Sequence, residues 1–255
     1  AIRLRKWGET LNAVCGLQIA LPQLVDGRIQ LNGCSPVPSK HYKELKKNAR
    51  SLRKRLLPTK FNPTGDYRER VFTGVVAFRV LCHAAMEEYF EIRTIEIAKS
   101  ALSQCRSTGR VSLPAIALMG FSGREHGLPP HTIDPPDPSK RKGWSSEIEI
   151  KQRLNDCTSS FVQRISKENH GVRERNILSM LIPIGVDPKE IDRLFLSEID
   201  NFGMSRGDFA HQAPAIHTAR RPDPKDELSK IQKLLDLIGP IDKKLDGLLA
   251  LTKAS

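Results

Sequence analysis

Apolar residues recur along most of this chain at steps of three and four, the period of one face of a helix. The longest such stretch, residues 69–102, carries Val71, Val75, Phe78, Leu81, Ala85, Tyr89, Ile92 and Ile95, and predicts a central core helix. Residues 146–168 form a second helix on the stripe Ile150, Leu154, Cys157, Phe161 and Ile165. A third, residues 173–182, turns Ile177, Leu178 and Leu181 inward and ends at Pro183 and Gly185. The clearest start signal follows, with Asp187 as N-cap, Pro188 at the first helical position and Glu190 three after the cap. The helix it opens buries Ile191, Leu194, Phe195, Ile199 and Phe202. Nearer the start of the chain, a helix from Ser39 uses Leu45, Leu52, Leu56 and Leu57 and is stopped by Pro58. The last, residues 225–252, sets Leu228, Ile231, Leu235, Ile238, Leu245 and Leu248 on one side, with a break expected at Pro240.

Strand signals are weak. Residues 1–39 hold turn signals at Val25-Asp26-Gly27-Arg28 and Asn32-Gly33, which suit a short hairpin or an irregular lead-in. Residues 103–142 turn rich in Gly, Pro and Ser, with one short helix at 114–119, and a connection of that length is either functional or mobile. The pattern predicts an all-α bundle with long loops and an added basic N-terminal helix. Residues 1–60 read as a basic extension packed on the bundle, and 61–255 as the helical domain with an insertion near 103–142. There is no internal repeat, glycine-rich phosphate loop, H-E-x-x-H or G-x-S-x-G, which removes the commonest enzyme classes.

Charge sharpens the picture. Residues 1–60 hold 13 Lys and Arg against 3 acids, whereas the rest of the chain is nearly balanced at 28 against 26. A basic region at one end suits a polyanionic partner. On the helix after Ser39, Lys46, Lys47, Arg50, Arg53 and Lys54 are candidates for holding RNA phosphates, and a merely solvated face is the competing reading. No aromatic series accompanies them, so contacts would go to backbone phosphates and be insensitive to sequence. The 39% hydrophobic content suffices for a core, no apolar run is long enough to span a membrane, and the first twenty residues lack a secretory h-region; a cytosolic protein is expected. Five cysteines without a C-x-x-C pair argue against a disulfide framework or zinc site, and Cys82 and Cys157 suit packed core positions. His126 and His131 have no acid or cysteine partners that would make a metal site. No metal and no cofactor is expected.

One stretch carries candidate chemistry, Ser205-Arg206-Gly207-Asp208-Phe209-Ala210-His211. Arginine presents a fixed fork of donors to phosphate oxygens, and histidine titrates near neutral pH. Arg206 and His211 are five residues apart, about 140° around a straight helix, so either Gly207 bends the backbone or the two flank a groove completed by something else.

The segment resembles the HEPN superfamily, whose mark is an arginine, four to six residues, and a histidine at the end of an amphipathic helix. Residues 194–202, Leu-Phe-Leu-Ser-Glu-Ile-Asp-Asn-Phe, lead into Arg206, and Phe209-Ala210 precede His211; residues 80–90 look like the long preceding helix of the RiboL-PSP-type branch. The likeness covers about 70–250 and is strongest at 187–211. Many members carry a polar residue directly after the arginine; here that place is Gly207, with Asp208 next. The resemblance implies a homodimeric, metal-independent endoribonuclease, with His211 as general acid or base, Arg206 as phosphate clamp and Asp208 in support. Family members often act as toxins or in defence against phage, which adds an antitoxin or regulatory partner to the expectation. The alternatives are a non-catalytic RNA- or nucleotide-binding helical module, a DNA-binding regulator using the basic helix, or a purely structural interaction protein.

Overall fold

The structure is a computed structural model describing residues 24–25, 28–29, 37–125, 127–128, 130–135, 137–211 and 221–253, with the backbone alone for 24–25, 28–29, 140 and 205–211. Residues 1–23, Cys15, Cys34 and His126 lie outside the described residues. The architecture is all-α. The first turn signal is flanked by a minimal hairpin, in which β1 (Leu24–Val25) pairs antiparallel with β2 (Arg28–Ile29), while Asn32 and Gly33 lie outside the described residues.

The axis of the bundle is α2 (Glu69–Thr108), against which α1 (Lys40–Leu56) packs. Beyond it come α3 (Leu113–Phe121), the single turn α4 (Trp144–Ile148), α5 (Ile150–Glu168), α6 (Glu174–Leu181), α7 (Arg193–His211) and α8 (Pro224–Leu251). Helices α5, α7 and α8 also pack on α2, so its buried positions run almost around its circumference. Val75, Phe78, Ala85 and Tyr89 are in the core as expected, but Leu81 and Ile92 are 45% and 40% exposed. Arg79 and Arg93 are buried instead.

Both arginines are held by carboxylates of α8. Arg79 donates from Nε and Nη2 to the two oxygens of buried Glu227, at 2.7 and 2.6 Å, a bidentate pair. Arg93 donates to Glu96 at 2.7 Å and to Asp246. Beside it, buried Asp242 accepts hydrogen bonds from the Ser39 amide at 2.9 Å, the Ser39 hydroxyl at 2.5 Å and the Tyr89 hydroxyl at 2.8 Å. Ser39 also N-caps α1 by accepting from the Tyr42 amide. One carboxylate thus joins the start of α1, the middle of α2 and the second half of α8.

These contacts fix the helix directions. On α2 and α8, Arg79 and Arg93 meet Glu227 and Asp246 in the same order, so the two helices run parallel. Helix α1 runs against them: Tyr42 lies 6.3 Å from Tyr89, while the other end of α1 meets Gly74. A Cβ at Gly74 would stand 2.4 Å from the Leu56 carbonyl oxygen, so the crossing needs a residue without one. Tyr42, Leu45 and Ala49 are buried in the same core as α2 and α8, so this part of the basic N-terminal segment packs on the bundle.

Four expected features differ. Helix α8 continues through Pro240; the proline withholds one amide from the ladder, and on the same turn the Tyr42 hydroxyl donates to the Leu235 carbonyl at 2.6 Å. Asp187 caps only a 3₁₀ turn, Pro188–Glu190, whereas α7 begins after Asp192, whose side chain accepts from the Leu194 amide. The Gly- and Pro-rich stretch starts later than 103, because α2 runs on to Thr108 and α3 buries Ala115 and Leu118 in the common core. On the stripes expected inward, Ile150 and Leu194 are about half exposed, at 52% and 48%. Each lies near a helix N-terminus, beyond the main packing.

Cys82, Cys105 and Cys157 are buried, and burial, reinforced by the Glu227 carboxylate, pushes the Cys82 thiol up to about 12. Among the described residues no helix is long and apolar enough to cross a membrane.

Removing the Asp242 carboxylate would leave the Ser39 and Tyr89 donors without their buried acceptor and take a counter-charge from Arg93, which keeps Glu96 and Asp246. Breaking such a pair from one side costs about 3–5 kcal/mol, so Asp242→Ala should lower the urea midpoint by that stability, read from equilibrium unfolding.

Candidate functional site

Helix α7 carries the candidate motif and is seated by its apolar stripe. Phe195, Ile199 and Phe202 are buried. Phe195 lies 6.1 Å from Phe90, and Phe202 lies 5.7 Å from the ring of buried His83. His83 therefore has a packing role beneath the motif helix, with Glu87 at 3.7 Å from its Nδ1. Glu88, the other acid near it in sequence, opens instead onto the groove between α1 and α2. The order of the aromatic contacts shows α7 running antiparallel to α2. Lys233 to Glu198 and Lys244 to Glu190, both at 2.7 Å, give the same sense against α8.

Two residues missed by the sequence reading lock α7 sideways. Asp200 accepts from Arg173 Nε at 3.2 Å and from the Glu174 amide at 3.1 Å, so it acts as the capping carboxylate for the N-terminus of α6. A Cβ at Gly203 would lie 2.9 Å from Arg173 Cγ and 3.2 Å from its amide nitrogen, so Gly203 permits this close approach. Neither role leaves a mark in periodicity, because both partners come from another element.

The backbone of α7 stays helical from Arg193 to His211, across Gly207. At about 100° per residue, position 206 continues the stripe of Phe195, Ile199 and Phe202. Position 211 falls about 140° away, near the line of exposed Ser197 and Met204. Position 208 lies one turn before 211. At that spacing positions 206 and 211 lie on different sides of α7.

The motif end of α7 has identifiable neighbours. Nine residues past Phe202, about 13 Å of helix, α7 draws level with Gly74, where the C-terminal end of α1 crosses α2. Arg221 stands at this same end, 3.4 Å from Glu69 and over the Phe72 ring at 5.1 Å.

The basic candidates on α1 divide into two sets. Lys46, Arg50 and Arg53 line one groove of about 240 Å³ between α1 and α8, floored by Phe78, Leu228, Ile231 and Leu235. Lys46 is half-buried with its ammonium 5.2 Å from the Tyr42 ring centre. Lys47 and Lys54 do not line it; Lys47 is exposed beside Glu44 at 3.5 Å, and Lys54 sits in the last turn, where it complements the helix dipole. Among the described residues, no three His, Cys, Asp or Glu side chains converge as metal ligands. In comparisons with family models, curated proteins and solved structures, nothing matches this chain.

The Arg173 hydrogen bond holds the Asp200 carboxyl below its ordinary range, with the Glu174 amide adding to it. A depressed folded pKa gives stability that is present above the ordinary carboxylate value and lost as pH falls through the folded one. Asp200 and Arg173 are 25% and 43% exposed, which limits the effect to below about 1 kcal/mol. Asp200→Asn should flatten the acid limb of stability against pH by that amount, measured by urea unfolding at pH values below the ordinary carboxylate range.

Proposed function

We propose that this chain is an endoribonuclease that cleaves RNA without a metal ion, through attack of the 2′-hydroxyl on the adjacent phosphorus. The observation that carries the reading is the Arg206 to His211 spacing on the last turns of one unbroken helix, at a bundle end shared with the basic C-terminal turn of α1. The reaction needs a base at the 2′-oxygen, an acid at the 5′-oxygen and positive charge on the phosphoryl oxygens. As the 2′-oxygen bonds to phosphorus, its proton passes to the base; the bond to the 5′-oxygen breaks, and the acid protonates that oxygen.

One histidine does not serve both sides of an in-line displacement. Two copies of α7 meeting about a two-fold axis would supply two, with one His211 as base and its partner's equivalent as acid. Positions 206 and 211 facing different ways on one helix suits such a composite cleft better than a site within one chain. Arg206 clamps the phosphoryl oxygens, and Asp208, a turn before His211, orients the imidazole. A toxin or anti-phage effector restrained by an antitoxin is the setting this chemistry suits. The competing reading is a non-catalytic RNA- or nucleotide-binding module on the same scaffold.

Purified protein incubated with mixed cellular RNA and a chelator should yield fragments ending in 2′,3′-cyclic phosphate. Arg206→Ala and His211→Ala should each reduce cleavage by at least about 100-fold, the scale of an acid–base group or a charge-stabilising donor, with the helical circular dichroism unchanged. Equal activity in either variant would refute the assignment. Salt-sensitive RNA binding with no product would favour the binding module.

A further inference from the structure

Among the described residues, the groove between α1 and α8 is a cleft in which charge and shape agree. Lys46, Arg50 and Arg53 occupy one stripe of α1 at steps of four and three, and all three line it. Its one acid, Asp236, stands at the end near Tyr42, where its charge helps to raise the Tyr42 hydroxyl. The cationic character therefore grows along α1 towards Arg53, the end that lies level with the C-terminal turns of α7. We infer that this groove is a track for single-stranded RNA, gripping the strand by its phosphates and leading towards the bundle end that also carries the last turns of α7.

The dimensions set what the track can hold. From Lys46 to Arg53 the helix rises about 10 Å, room for about two or three successive phosphates of one strand, one to each cation. The groove lies between two packed helices, whose axes stand about 8–10 Å apart, so it admits one strand and not a duplex. Its floor is aliphatic apart from buried Phe78, and its neutral polar side chain is Gln232. Without an exposed ring for stacking, the grip falls on phosphates and is indifferent to sequence. Lys47 and Lys54, equally basic and on the same helix, lie off the groove and take no part.

The inference relies on the ribonuclease reading for the class of ligand alone. It is tested with a short single-stranded 2′-O-methyl oligoribonucleotide, which lacks the attacking hydroxyl and so reports binding whether or not the protein cleaves. Affinity is measured by fluorescence anisotropy over a salt series. Each phosphate neutralised contributes about 0.7 to the slope of log affinity against log salt for a single strand. The combined Lys46→Gln, Arg50→Gln, Arg53→Gln variant should lower the slope by about 2. The Lys47→Gln, Lys54→Gln variant should leave it unchanged, and the charge-preserving Lys46→Arg, Arg50→Lys, Arg53→Lys variant should restore it. Wild-type binding should be weaker for the corresponding duplex. An unchanged slope in the triple variant, equal losses in both glutamine variants, or equal affinity for duplex would overturn the track. Selective loss in the triple variant supports it even where wild-type protein cleaves no RNA, an outcome that removes the nuclease reading alone.

Discussion

The buried carboxylate of Asp242 joins three helices whose sequences are far apart. It accepts from the Ser39 amide and hydroxyl at the head of α1 and from Tyr89 in α2, while belonging to α8. A charge so far from solvent is tolerated only with its acceptor positions filled, and replacement of such groups by apolar residues is often no less stable. What the arrangement supplies is register. Arg79 and Arg93 are about 21 Å apart along α2, and Glu227 and Asp242 are about 22 Å apart along α8. A slip of one turn between the helices would break both arginine sites at once. Apolar ridges alone permit several such slips.

Register has a functional consequence because of where the other helices end. With α1 antiparallel to α2, its last turn, rich in Arg53, Lys54 and Arg55, lies at the N-terminal end of α2. Helix α7 reaches the same end by running antiparallel to α2 and α8, held by Phe195, Phe202 and the cap that Asp200 makes on α6. The basic turn and the arginine–histidine spacing are about 150 residues apart in sequence and lie level with each other at one end of α2, on different sides of it. The proposed nuclease and its strand-gripping groove both depend on that placement.

Much of this was legible in the sequence. Most of the helices, the buried stripes of α5 from Leu154 onward and of α8, and the burial of Cys82 and Cys157 followed from apolar spacing and composition, although the helix expected over 146–168 is interrupted at Glu149. Spacing failed where a polar partner from another element decided burial: Arg79 and Arg93 lie inside because α8 supplies carboxylates, while Leu81 and Ile92 face out. It failed again at Pro240, where neighbouring packing carries the helix through, and at Asp187, where the stronger start signal opens only one 3₁₀ turn. The Arg206 and His211 pattern was visible from residue types. The support from Gly203 and Asp200 was not, since a close approach or a cap across elements has no periodic signature.

The most direct measurement is photo-crosslinking of one non-cleavable RNA strand carrying a photoreactive uridine at successive positions, followed by mapping of the attached peptides. If one strand runs along α1 to the bundle end where α7 finishes, it attaches to the peptide containing Lys46 to Arg53 from some positions. It attaches to the peptide containing residues 205–211 from positions a fixed number of nucleotides away. Attachment to either peptide alone, or to both without a fixed spacing along the strand, would contradict the shared end on which the proposed function rests.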